Sequence, residues 1–190
     1  ATRQLLTGED HRHAISAALG IIGQATDSDR VSVFENHPHP SLPGFAMSQR
    51  FGWERGADQA WIDNPDFQNL PYDPAFTRWY ETLRTGRPIH GTLEELPEGE
   101  QAVLQEQGYV SLLIVPIFID DHFWGVVEFD DLHLNRVWTE GEISILVAAA
   151  ASVGAAIVRA RAAEDLKRSA EELAIAKLKA EAASSAKSEF

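Results

Sequence analysis

The sequence predicts an α+β fold. A central antiparallel β-sheet carries helices on one face and an irregular aromatic-rich cover on the other, and a long C-terminal helix follows. Three observations lead there. Residues 112–119 and 123–129 are apolar runs separated by Asp120-Asp121-His122, the pattern of a β-hairpin. Leu112, Ile114 and Phe118 alternate with Leu113, Val115, Ile117 and Ile119, so both faces of the first run are apolar and both need covering. Residues 45–80 hold nine of the 17 aromatic side chains, although 52–70 show no usable period. Beyond Ser144 the only helix breaker is Gly154, so one helix of about 50 residues is expected.

The elements follow in order. Residues 7–26 are expected as a first helix: Thr7 and Asp10 resemble a capping box, and Ile15, Ala18, Leu19 and Ile22 share a face. Residues 31–35 alternate as a short strand, and residues 36–44, with three prolines and a glycine, read as a loop. Residues 45–51 form the returning strand of a hairpin. Asp73-Pro74 and Gly86 bracket a helix as cap, N1 proline and C′ glycine, with Phe76, Trp79, Tyr80 and Leu83 on its buried stripe. Residues 88–91 suggest an edge strand, and 97–107 a short helix closed by Gly108. Thr139 and Glu142 make a full capping box before the long helix. Pro116 adds a caution, since proline cannot donate to a ladder and prefers edges.

The domains expected are residues 1–6 as an upstream linker, 7–160 as the folded domain and 161–190 as a helical or coiled-coil linker. In the last segment Ala162, Leu166, Ser169, Leu173, Ala176, Ala180 and Ala183 form a heptad-like seam. Its alanines bury little area, so a homodimer, parallel through this helix, would need the folded domain as well. A single solvated helix is the competing reading.

The net charge is −13, and residues 1–158 carry nine basic against 23 acidic side chains. Such a surface repels phosphate backbones, which argues against nucleic-acid partners. No apolar run approaches the roughly 20 residues of a membrane span, and no membrane contact is expected. The chain has no cysteine, which excludes disulfides, thiolate metal sites and cysteine nucleophiles. A cytoplasmic location is the simplest expectation.

Two stretches resemble a known family. Phe123-Trp-Gly-Val-Val-Glu-Phe-Asp-Asp131, followed by Arg136-Val-Trp-Thr-Glu-Gly-Glu142, is similar to the GAF domains of bacterial sensor histidine kinases. The likeness covers about residues 8–160. Ala186-Lys-Ser-Glu-Phe190 resembles the entry to the dimerisation and phosphoacceptor helix of such kinases, just before a histidine that lies outside this sequence. The resemblance implies a sensory input domain, binding a small ligand or relaying an upstream signal through a dimeric helix. The alternative is a ligandless dimerisation and spacer module. A kinase would be the full-length parent, and the fragment itself shows no catalytic motif. Covalent bilin attachment is excluded by the missing cysteine, no other cofactor is implied, and the cyclic-nucleotide signature of the family is not recognisable.

The ligand-binding candidates are Trp53, Trp61, Phe67, Tyr72, Phe76, Trp79, His90 and Glu128. An irregular segment this aromatic must fold over an apolar surface, and the second sheet face is the one available. His90 is the one histidine on an edge strand near that segment, although a structural or solvated role is the weightier reading. No paired histidine spacing suggests a metal. Glu128 interrupts an apolar strand and needs a partner, either Arg50 or a ligand's donor. Asp130 and Asp131 point to opposite faces, which suits backbone capping or a pairing with Arg136 better than a shared ion.

Overall fold

A computed structural model describes residues 8–57 and 64–188. The elements are α1 (Gly8–Ala25), β1 (Arg30–Pro38), β2 (Phe45–Glu54), β3 (Leu70–Pro71), α2 (Thr77–Leu83), β4 (Ile89–Thr92), α3 (Glu98–Glu106), β5 (Ser111–Ile119), β6 (His122–Asp131) and α4 (Glu140–Ser188). Residues 1–155 and 156–190 are separate compact units.

The six strands form one sheet in the order β3-β2-β1-β6-β5-β4, with every neighbour antiparallel. Its two central strands are β1 and β6, and β6 turns back on β5 as a hairpin. Asp120 and Asp121 both take positive φ, 49° and 61°, the backbone a two-residue turn needs to match the twist of its strands. Pro116 is accommodated because β4 pairs only with Ser111 to Ile114, leaving the proline beyond it at a locally open edge.

The two faces divide as the alternation predicts. Leu113, Val115 and Ile117 of β5, Val127 and Phe129 of β6, and Val31 and Val33 of β1 lie on the helix side, all buried. There α1 packs on β1 and β2. Gly154 of α4 comes so close that an added Cβ would sit 2.8 Å from Ile117 Cγ2. The opposite face is covered by residues 65–109, and Phe67, Tyr72, Phe76, Trp79, Leu83, Leu104 and Tyr109 pack there with Phe34, Leu112, Ile114 and Val126.

Several expectations need correction. β1 continues to Pro38, so the loop to β2 is residues 39–44 rather than 36–44. Asp73-Pro74 does not open α2: the bond is cis, the helix begins at Thr77, and the Asp73 carboxylate instead accepts from the Thr77 hydroxyl. Thr7 lies outside the described residues, as do the expected linker 1–6 and the last two residues of the chain. The Thr139–Glu142 capping box is formed, with the Thr139 amide donating to Glu142 at 2.9 Å and the Glu142 amide donating to Thr139 Oγ1 at 3.3 Å. Arg136 adds a tie, donating to the Thr26 carbonyl behind α1 and to Glu142 Oε1 at 2.8 Å.

The sequence reading also expects no membrane-length apolar segment, yet α4 contains an 18-residue window of mean hydropathy 2.0. By length and composition alone such a helix is able to cross a bilayer. Leu146, Ala150 and Val153 in its first part are buried within the protein, while Ile145, Val147 and Val158 are exposed.

Candidate functional site

The covered face of the sheet contains a buried polar row. Arg30 and Ser32 on β1 stand opposite Asp130 and Glu128 on β6. Asp130 is fully buried and Arg30 is 9% exposed, and Arg30 Nε donates to Asp130 Oδ2 at 2.8 Å. The guanidinium lies 4.7 Å from the ring centre of Tyr109 and 5.4 Å from that of Phe67, within cation–π range of both. Gln49, brought alongside from β2, donates to the Ser32 hydroxyl at 3.1 Å.

Glu128 is the centre of the site. It is 3% exposed, and its Oε2 receives the Tyr109 hydroxyl at 3.4 Å, the long end of a hydrogen bond. Burial first and the nearby Asp130 second raise its carboxyl, Arg30 and the Tyr109 hydroxyl draw it back, and the net is about 8. Asp130 is also raised by burial, against the pull of Arg30. Burial raises the Tyr109 and Tyr72 phenols too. Burial therefore works against charge on Glu128, while Arg30 and Asp130 hold each other as a buried ion pair.

Above Glu128 a small cavity of about 10 Å³ is lined by Phe34, Met47, Phe67, Phe76, Trp79, Val103, Leu104, Gln107 and Tyr109. That is room for about one water molecule. The cover above it is braced by Glu100 of α3, 2% exposed, which accepts two bonds from Arg78 at 2.7 and 2.8 Å and one from Trp79 Nε1 at 2.8 Å.

Of the residues proposed from sequence, Phe67, Phe76, Trp79 and Glu128 meet at this cavity. Tyr72 is buried nearby, with its hydroxyl on Asn36 Oδ1 at 2.7 Å and its ring against Tyr80. Trp53 lies on the other face, where Cβ atoms added at Gly20 and Gly23 of α1 would come within 2.9 and 2.3 Å of its ring. The reason is a bulge: Val33 pairs with Phe51 and Phe34 with Gln49, so Arg50 is an extra residue and the alternation of β2 reverses there. His90 is exposed on β4. Trp61 falls outside the described residues.

The pairings differ as well. Arg50 bonds Glu35 at 2.8 Å rather than Glu128. Asp130 pairs with Arg30 rather than Arg136, and Asp131 faces the Ser111 hydroxyl at 3.4 Å. Arg30 and Tyr109 are the members that sequence reasoning misses. The available signal was the parity of Arg30 with Ser32 and Phe34. Among the described residues, no group of three or more histidine or carboxylate side chains is gathered closely enough to hold a metal ion.

Comparison with known proteins now places the chain. It is 44% identical over 174 residues to the methanogenesis regulatory histidine kinase FilI of Methanothrix harundinacea (strain 6Ac). The match takes in 91% of this chain and 19% of that kinase, so the chain spans about a fifth of its relative's length. Among solved structures it is similar to JSC1_58120g3 in its far-red-absorbing dark state with bound biliverdin IXa, with a TM-score of 0.66 at 16% identity, over 84% of this chain and 94% of that one. The blue-light-absorbing form of the Thermosynechococcus elongatus PixJ GAF domain aligns with a TM-score of 0.63 at 21% identity, over 90% of this chain and 97% of that one. Those identities speak to fold alone. The family model for the GAF domain matches residues 10–157, and the chain belongs to the GAF domain family.

Proposed function

We propose that this chain is the sensory input domain of a signal-transducing histidine kinase, taking a small ligand between the aromatic cover and the sheet. The observation that carries the reading is Glu128, a carboxylate buried at the floor of an aromatic cavity with one long hydrogen bond. A core without a ligand role gains nothing from such a group, because burying it costs free energy that its partners return only in part. The likeness to the FilI kinase supports a kinase as the full-length parent. Phe67, Phe76, Trp79 and Glu128 would touch the ligand, with Tyr72 behind them.

The signal would leave through α4 in a parallel homodimer, in a cytoplasmic setting. Leu166 and Leu173 of the heptad-like seam are 73% and 72% exposed, which suits a second copy. In the folded unit Ile21 and Ile145 are 70% and 71% exposed, which suits contacts between two copies of that unit. Native mass spectrometry of the chain purified from its own host tests the proposal. A stoichiometric small-molecule adduct that disappears in Glu128→Gln is expected, and a clean apo mass in every preparation would overturn it.

A second reading, a ligandless dimerisation and spacer module, is favoured by one measurement: the cavity is only about 10 Å³. On that reading the aromatic cover is core, and Glu128 is held neutral for packing.

A further inference from the structure

We propose that the cavity over Glu128 binds a small ammonium-type cation, ammonium itself or a methylated amine. The inference rests on the sensory reading above and names the class of its ligand.

Unused hydrogen-bonding capacity leans one way. Glu128, at the floor of the cavity, has only the long contact from Tyr109, and behind it, outside the cavity wall, Asp130 Oδ1 and Gln49 Oε1 are buried with no partner among the described residues. On the donor side of the same row, Arg30 Nη2 is the buried atom without a partner. A floor carboxyl with acceptor capacity to spare favours a guest that donates hydrogen bonds and carries positive charge.

The walls agree. Phe67, Phe76, Trp79 and Tyr109 line the cavity, and aromatic ring faces attract desolvated cations. The site already shows this preference, since the Arg30 guanidinium rests against Phe67 and Tyr109. An anion would meet the Glu128 carboxyl instead. Size sets the upper limit: a space of about 10 Å³ suits a guest as small as ammonium, and a methylated amine would have to displace the half-buried Val103 on α3 and Gln107 just after it.

Charge then couples binding to protons. Glu128 faces Asp130 from its own strand, Arg30 from β1, and the hydroxyls of Tyr109 and Tyr72. On the cover side, the Glu100 carboxylate is already bonded to Arg78 and Trp79. With Glu128 protonated near neutrality, an arriving cation displaces that proton, so affinity rises with pH by up to about tenfold per unit.

The test is a titration of the 190-residue chain with ammonium, methylammonium and tetramethylammonium chlorides, against sodium and potassium chlorides at matched ionic strength. It is read by tryptophan fluorescence and thermal shift at pH 6, 7 and 8. A saturable response to ammonium or methylammonium that tightens with pH is expected, weakened about tenfold or more in Glu128→Gln and in Trp79→Phe. No saturable response, equal responses to sodium and potassium, or unchanged binding in a folded Glu128→Gln would overturn the proposal. Should Glu128→Gln not fold, the Trp79→Phe titration decides. An anionic or neutral adduct on the host-purified protein, with no response to the amines, sinks the cation and leaves the sensory reading standing.

Discussion

Arg30 Nε and Asp130 Oδ2 lie 2.8 Å apart although the two residues are 100 positions apart in sequence, and the bond joins the first strand of the sheet to the last in sequence. Removing one partner leaves the other buried with its charge uncompensated. Arg30→Met alone is expected to cost about 3–5 kcal/mol. The double variant Arg30→Met/Asp130→Leu, which removes both charges, is expected to be more stable than either single one. Urea denaturation of the four proteins checks the cycle.

Stability should fall as pH rises from about 5 to 8. Glu128 holds its proton to about 8 in the folded chain, whereas the unfolded carboxyl titrates near 4.5. Below both values the two states carry the same proton and the full stability is present. Between them the unfolded state sheds the proton first and is favoured, by at most about 1.4 kcal/mol per pH unit for one group. Asp131, raised to about 6 mainly by burial, acts in the same direction. Urea midpoints across this range should flatten in Glu128→Gln.

Two glycines should respond differently to alanine. At Gly125 the new Cβ would stand 2.0 Å from the Phe34 carbonyl oxygen, which is backbone and cannot turn aside. At Gly23 the obstacle is the Trp53 ring at 2.3 Å. Each alanine is expected to cost about 1–3 kcal/mol as overpacking. Trp53→Leu should recover most of the loss at Gly23 and none at Gly125, as read by thermal unfolding.

The dimer is expected to depend on both parts of the chain. Sedimentation velocity should show a dimer for residues 1–190 and a weaker, concentration-dependent association after truncation at Val158. The exposed seam carries leucine only at Leu166 and Leu173, with alanine or serine between, and buries little area per turn. A truncated chain as tightly dimeric as the full one would place the whole interface in the folded domain.

The sheet and its two unlike covers were legible because period-two alternation with both faces apolar allows few alternatives. The aromatic cover was legible as a cover, and Glu128 as its odd charge. Trp53 was not, because a single extra residue at Arg50 reverses which side chains of β2 face inward, and no local composition marks that bulge. Arg30 was hidden for a different reason. A charge at the start of a strand ordinarily lies in solvent, and its burial is decided by Asp130, a partner far along the chain. The start of α2 was misjudged because Asp73 and Pro74 offer cap chemistry that the chain uses in the turn before the helix.

Glu100 carries a consequence for how this domain drifts in sequence. Its two oxygens hold Arg78 and Trp79 together, so neighbouring positions on α2 answer to one carboxylate on α3. Arg78 is 44% exposed at its side chain and tolerates exchange for another long donor, because water can fill in behind it. Trp79 has no such freedom, since its ring is buried and its one N–H has a single acceptor within reach. Relatives that lose the acid at position 100 should therefore change residue 79 in step while residue 78 wanders, a pattern of inheritance set by burial rather than by distance along the chain.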